Sequence, residues 1–82
     1  KVVSVFDGRI TLFKDDSTLG KFIIIEHDNG LQIVYAHLDV FAPGLKIGRI
    51  KKGRVIGRVS KQLYFEVMKG DYRVNPEEVI GK

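Results

Sequence analysis

The chain has 82 residues, of which 44% are hydrophobic and 29% charged, with 14 Lys or Arg against 10 Asp or Glu for a formal net charge of +4. That length allows one core and not two, in a domain burying ~60–65% of the surface its unfolded chain would expose. No apolar run approaches the ~18–20 residues of a membrane-spanning helix, and the absence of cysteine excludes disulfides and thiolate metal sites.

The chain opens on Lys1-Val2-Val3, without a start Met or a signal-like segment, and is expected to be one domain, residues 1–82, of a longer protein. Any membrane anchor would then come from a segment outside these residues. Asp7-Gly8, Asn29-Gly30, Pro43-Gly44 and Gly70-Asp71 stand between β-branched runs, a pattern of strands and tight turns with almost no helix. Residues 2–6 and 9–14 are expected strands on either side of an Asp7-Gly8 turn, followed by the polar loop Asp15-Asp16-Ser17-Thr18 and Leu19-Gly20.

Residues 21–27 and 31–38 form the clearest hairpin, because Asn-Gly accepts the positive φ values of a two-residue type I′ turn. With Asp28 and Leu31 flanking that turn, Ile24 falls opposite Tyr35 and Phe22 opposite His37. Ile23, Ile25, Val34, Ala36 and Leu38 then share the core face, Tyr35 and His37 the open face, and His27 sits on the core side near the turn, where it can be edge-exposed.

Residues 41–57 read as short apolar pieces separated by glycines, with a sharp reversal at Lys51-Lys52-Gly53. Residues 62–68 alternate as a half-buried strand does. Leu63, Phe65 and Val67 point one way, and Gln62, Tyr64, Glu66 and Met68 the other. Asn75-Pro76-Glu77-Glu78 is a helix-start signal, with Asn as N-cap, Pro at the first helical position and two acids at the positive end of the dipole. One helical turn is expected there.

No Gly-rich phosphate loop, Ser/His/Asp set or repeat is present, and Met68-Lys69 lacks the flanks of a biotinyl or lipoyl carrier turn. Lys46, Arg49, Lys51, Lys52, Arg54 and Arg58 fall within thirteen positions, which suits either a solvated turn region or a surface for an anionic polymer. No aromatic residues interleave them, so a nucleic-acid partner is not expected, and a small basic nucleic-acid-binding β-domain is the weaker reading.

The runs Phe22 through Gly30 (FIIIEHDNG), Tyr35-Ala36-His37-Leu38, Gly48 through Gly57 (GRIKKGRVIG), Phe65-Glu66-Val67 and Val74-Asn75-Pro76 resemble the LytM or M23 family of zinc metallopeptidases, the lysostaphin-like, duplicated-hybrid-motif type. The resemblance implies an all-β domain: a small, mostly antiparallel sandwich of barrel-sandwich hybrid type, with a groove over one sheet and, here, a short C-terminal helical turn. Active members cut peptide cross-links in bacterial cell wall. The resemblance implies zinc held by an upstream His-x-x-x-Asp motif and the second His of a His-x-His pair, assisted by the first His of that pair and by the His of Tyr-x-His-Leu.

Carried onto this chain, the last of these is His37, a catalytic remnant, while Gln62 and Tyr64 stand where the His-x-His imidazoles belong. Neither His27 nor His37 has an Asp at the fourth position after it, since Leu31 and Phe41 stand there. A phenol is a poor substitute for imidazole near neutral pH, and a catalytic zinc needs three protein ligands besides its water. No metal or other cofactor is therefore expected, and the family's glycine-rich loop before this strand is cut to Arg58-Val59-Ser60-Lys61.

The resulting expectation is a non-catalytic binding, scaffolding or regulatory module of the bacterial cell envelope, periplasmic or extracellular. Its groove would be bordered by Tyr35, His37, Gln62 and Tyr64, and its partner would be peptidoglycan or an envelope protein such as a wall hydrolase. The alternative is an active zinc peptidase that takes its missing ligands from another segment.

Overall fold

The computed structural model describes residues 1–70 and 72–75, which form nine strands: β1 (Val2–Val3), β2 (Gly8–Asp16), β3 (Gly20–His27), β4 (Leu31–Leu38), β5 (Val40–Phe41), β6 (Gly48–Ile50), β7 (Val55–Arg58), β8 (Tyr64–Lys69) and β9 (Tyr72–Val74). Every pairing is antiparallel, in a six-stranded sheet of order β6-β2-β3-β4-β8-β9 and a three-stranded sheet of order β1-β7-β5. The expected helical turn at Asn75-Pro76-Glu77-Glu78 lies outside the described residues, apart from Asn75.

The two sheets share one core. Val2 and Ile56 from the small sheet pack with Ile10, Ile23, Ile25, Ile33, Tyr35, Ile50 and Val67 from the large one. Burial of both inner faces in a single cluster is what makes the fold a sandwich, with one face of the large sheet left outside. On that outer face a second, smaller cluster gathers Phe22, Val34 and Ala36, with Leu19 and Ile24 against them.

The hairpin differs from the expected one by a single residue. Ile23 pairs with Tyr35, Ile24 with Val34 and Ile25 with Ile33, so the connection is the three-residue loop Asp28-Asn29-Gly30. Gly30 takes a φ of 88° and donates its N–H to the His27 carbonyl at 3.0 Å, while Asn29 Oδ1 accepts the Leu31 N–H at 3.1 Å. A three-residue loop ending in a left-handed glycine spends Asn-Gly on its last two positions, which moves the register by one. Because side chains alternate, that single step turns Tyr35 inward and Val34 and Ala36 outward.

Asp7-Gly8 is also no hairpin turn. β1 pairs with β7 in the other sheet, and Gly8 opens β2 opposite both His27 and Ile50. The glycine is there for proximity: a Cβ at position 8 would stand 2.6 Å from the Glu26 carbonyl oxygen and 2.8 Å from His27 Cα. The Lys51-Lys52-Gly53 reversal does form, with Gly53 at φ 87° and the Arg54 N–H donated to the Lys51 carbonyl at 3.1 Å.

Candidate functional site

Strand β4 reaches the outer face through an irregularity. The pairing of β3 and β4 shifts between Ile23↔Tyr35 and Lys21↔Leu38, leaving an extra residue on β4, and His37 takes a φ of 64° there. It is the only non-glycine residue with positive φ among those described. Bulges of this kind re-aim a side chain, and they restore parity so that Leu38 returns to the core. Two local features hold the bulge. Asp16 Oδ1 caps the 16–19 turn by accepting the N–H groups of Thr18 and Leu19 at 2.8 and 2.6 Å, and the Leu19 carbonyl accepts the His37 N–H at 3.0 Å.

Strand β8 alternates as its sequence requires. Phe65 and Val67 join the core and Tyr64 faces out beside Ala36, its cross-strand partner. The His37 and Tyr64 rings lie 5.5 Å apart at 32°, and with Gln62 and Leu63 they line an open depression of about 230 Å³. Three of the four residues expected around the groove thus come together. Tyr35 does not: it is 0% exposed, on the opposite face of the sheet, because of the one-residue register shift.

Two further residues complete the outer face. Glu66 Oε2 accepts a hydrogen bond from Arg73 Nη2 at 2.6 Å, and Glu66 Oε1 accepts one from the Tyr64 hydroxyl at 3.4 Å. The carboxylate beside it keeps the Arg73 guanidinium firmly protonated, its pKa raised above the ordinary value. Alternation alone places Glu66 beside Tyr64. Arg73 reaches them only through the β8–β9 pairing, in which it stands opposite Met68, and no sequence signal announces that.

His27 belongs to a different network. It is 3% exposed, and its Nδ1 faces the Phe6 and Asp7 carbonyls at 3.0 and 3.3 Å. Carbonyls only accept, so Nδ1 carries the proton and Nε2 accepts from the Tyr35 hydroxyl at 3.0 Å. The Tyr35 oxygen in turn accepts the Val5 N–H at 3.2 Å. Burial pulls the His27 pKa below its ordinary 6.5 and pushes Tyr35 up to about 12. The expected edge exposure of His27 does not occur, since the chain before β2 covers it.

The donor set in the depression is one imidazole, one amide and one phenol, and among the described residues no three His, Asp, Glu or Cys side chains gather where they could hold a metal. Zinc does not fit these residues, because a phenol stands where the resemblance places the metal-binding imidazole of the strand and an amide where it places the assisting one.

The depression thus lies on the uncovered sheet face of a small antiparallel β-sandwich, beside a bulged histidine. The match of the model for peptidase family M23 to residues 1–76 places the chain in that family. It is 32% identical over 80 residues to the DD-carboxypeptidase/endopeptidase Mpg of Neisseria meningitidis serogroup B, an alignment covering 89% of this chain and 18% of that protein. The Neisseria gonorrhoeae protein of the same name matches to the same extent, 32% over 80 residues.

Among solved structures, Helicobacter pylori Csd3 in its hexagonal crystal form superposes with a TM-score of 0.88 at 40% identity, over 99% of this chain and 23% of Csd3. The orthorhombic form gives 0.80 at 42% identity over 90% of this chain. The chain thus spans about a fifth of the length of the relatives it matches.

Proposed function

We propose that this is a non-catalytic M23 domain that acts as a binding, scaffolding or regulatory module of the bacterial cell envelope, in the periplasm or outside the cell. The observation that carries the reading is the donor set of the depression, in which Tyr64 stands at the metal-binding position and Gln62 at the assisting position of the family's His-x-His pair, and His37 supplies the one imidazole. No cofactor is needed for this role. Recognition would use the depression of His37, Gln62 and Tyr64, whose aromatic ring and amide suit peptide or sugar contacts. Membership of a family with a DD-carboxypeptidase/endopeptidase among its relatives supports peptidoglycan, or an envelope protein such as a wall hydrolase, as the partner.

The positive φ kept at His37 favours a second reading, in which ligands from another part of the protein complete an active peptidase. Metal content of the full-length protein, measured together with digestion of purified peptidoglycan, separates the two. Absence of bound zinc and of cleavage supports the binding role. Stoichiometric zinc with cleavage that His37→Ala abolishes overturns it.

A further inference from the structure

Away from the depression, the chain's charge is concentrated at one end of the fold. β6 pairs with β2 so that Arg49 stands opposite Arg9, and the 51–54 turn packs on the 4–7 segment, with the Lys52 N–H donated to Asp7 Oδ1 at 2.7 Å and the Gly53 N–H to the Ser4 carbonyl at 2.8 Å. Lys46, Arg49 and Arg54 share a small depression of about 60 Å³ with Ala42, Pro43 and Leu45. Arg9, Lys46, Arg49, Lys51, Lys52 and Arg54 are six of the fourteen basic residues, and among the described residues they stand against Asp7, Glu26 and Asp28, a local excess of +3. Arg58 does not belong to it, since it lies at the far end of β7 opposite Val40.

Among the described residues most of these cations have no acidic partner. Asp28 takes up Arg49 through two hydrogen bonds of 2.8 Å, but among the described residues no acid pairs with Lys46, Lys51, Lys52 or Arg54. Aliphatic side chains interrupt the positive surface. Ile47, directly after Lys46, is 55% exposed, and Val3 is 39% exposed at the rim of an apolar depression of about 310 Å³ whose other wall is Lys52-Gly53. A hydrated anionic polymer gains nothing from exposed Ile47 and Val3, and residues 42–54 include no aromatic side chain on which a base could stack. A bilayer surface uses both features, headgroup phosphates meeting the cations while short aliphatic groups enter the headgroup boundary.

We propose that this end of the domain docks on an anionic lipid bilayer. The surface shares no residue with the depression of His37, Gln62 and Tyr64, and the proposal does not depend on what that depression binds. The strands at the two places, β6 at the basic end and β8 at the depression, are separated by β2, β3 and β4 in the large sheet. Docking through β6 therefore leaves the β8 side free.

The test is flotation of the full-length protein with vesicles of phosphatidylcholine alone and of phosphatidylcholine with about 30 mol % phosphatidylglycerol, at low and raised salt. Binding is expected to the anionic vesicles only. The triple variant K46Q/K51Q/R54Q should lose about a hundredfold in affinity, at about fivefold per charge. The control K14Q/R58Q/K61Q, with the same change in net charge, should stay within about twofold of the parent. Ile47→Ser should weaken binding severalfold at raised salt. Melting temperatures of the variants close to the parent's establish that they fold.

Equal binding to neutral vesicles, equal losses in the two triple variants, or no vesicle binding overturns the proposal. So does unchanged binding of Ile47→Ser combined with equally tight binding of duplex DNA or polyphosphate, which would make the surface a polyanion site.

Discussion

Replacing Tyr35 with Phe removes one oxygen from a fully buried position and should cost more than its size suggests. The hydroxyl is the link between Val5 N–H at 3.2 Å and His27 Nε2 at 3.0 Å. Without it, His27 keeps an acceptor with no partner at 3% exposure, and the half-buried Val5 amide loses its acceptor. An unsatisfied buried polar atom costs ~1–3 kcal/mol, and Val5 recovers part of its share from water, so the loss is about 2–4 kcal/mol. A domain of this size has ~4–12 kcal/mol in all at ~0.05–0.15 kcal/mol per residue. The melting temperature should fall by about 8–30 °C, taking ~4–8 °C per kcal/mol for so short a chain.

Thermal melting by circular dichroism reads the shift, and urea titration with an unchanged slope confirms that the native state is the one weakened. A double-mutant cycle with His27→Leu should show the two losses to be non-additive by about 1–2 kcal/mol, because they break the same bond. A drop of less than about 2 °C, or strict additivity, would refute the network.

The same pair sets a pH dependence. The His27 pKa is lowered by burial from 6.5, so the unfolded chain takes up the proton first: the contribution is complete above pH 6.5 and is lost as pH falls below it. Tyr35 runs the other way, its pKa raised from 10.0 to about 12, so stability is complete below pH 10 and lost between 10 and 12. Urea midpoints measured across both windows check this, and a flat profile from pH 7 to 5 in the parent chain would contradict the first half. Gly8→Ala forces a methyl to within 2.6 Å of the Glu26 carbonyl oxygen, and should destabilise by ~1–3 kcal/mol as overpacking does, read as a lower melting temperature. At position 37 the order of variants is diagnostic. His37→Gly should melt above His37→Ala, by the equivalent of ~1 kcal/mol, because only glycine holds a φ of 64° without strain.

Where the sequence speaks through alternation, the structure follows it. Phe65 and Val67 lie inward and Tyr64 and Glu66 outward, because β8 is regular from end to end, and Leu63, which the structure leaves just before the strand, packs against the core as well. The bounds of β4 agree with the expected strand, residues 31–38, since its apolar run has no interior glycine or proline. What the sequence conceals is the count of residues in a connection. Asn29-Gly30 fits a two-residue and a three-residue loop equally well, and only the packing of Ile33 and Tyr35 against Ile23, Ile25 and Val67 selects the second. That choice decides on which face Tyr35 lies.

The bulge at His37 is likewise silent in the sequence, because histidine, although enriched at left-handed positions, occupies them too seldom to mark one. Asp7-Gly8 misleads for the opposite reason. Its glycine answers to a neighbouring strand whose Glu26 carbonyl oxygen a Cβ would meet at 2.6 Å, and not to a bend in the chain. The expectation of a cluster at His37, Gln62 and Tyr64 rested on the family resemblance and one strand's parity, and the depression does bring these three together.

The separation of the two apolar clusters has a historical consequence. The large cluster that joins the sheets contains none of His37, Gln62 or Tyr64, and the outer patch of Phe22, Val34 and Ala36 has no need of them either. Cohesion and chemistry are thus drawn from different accounts of the same backbone, so a lineage can discard a reaction by changing two side chains while its silhouette survives intact.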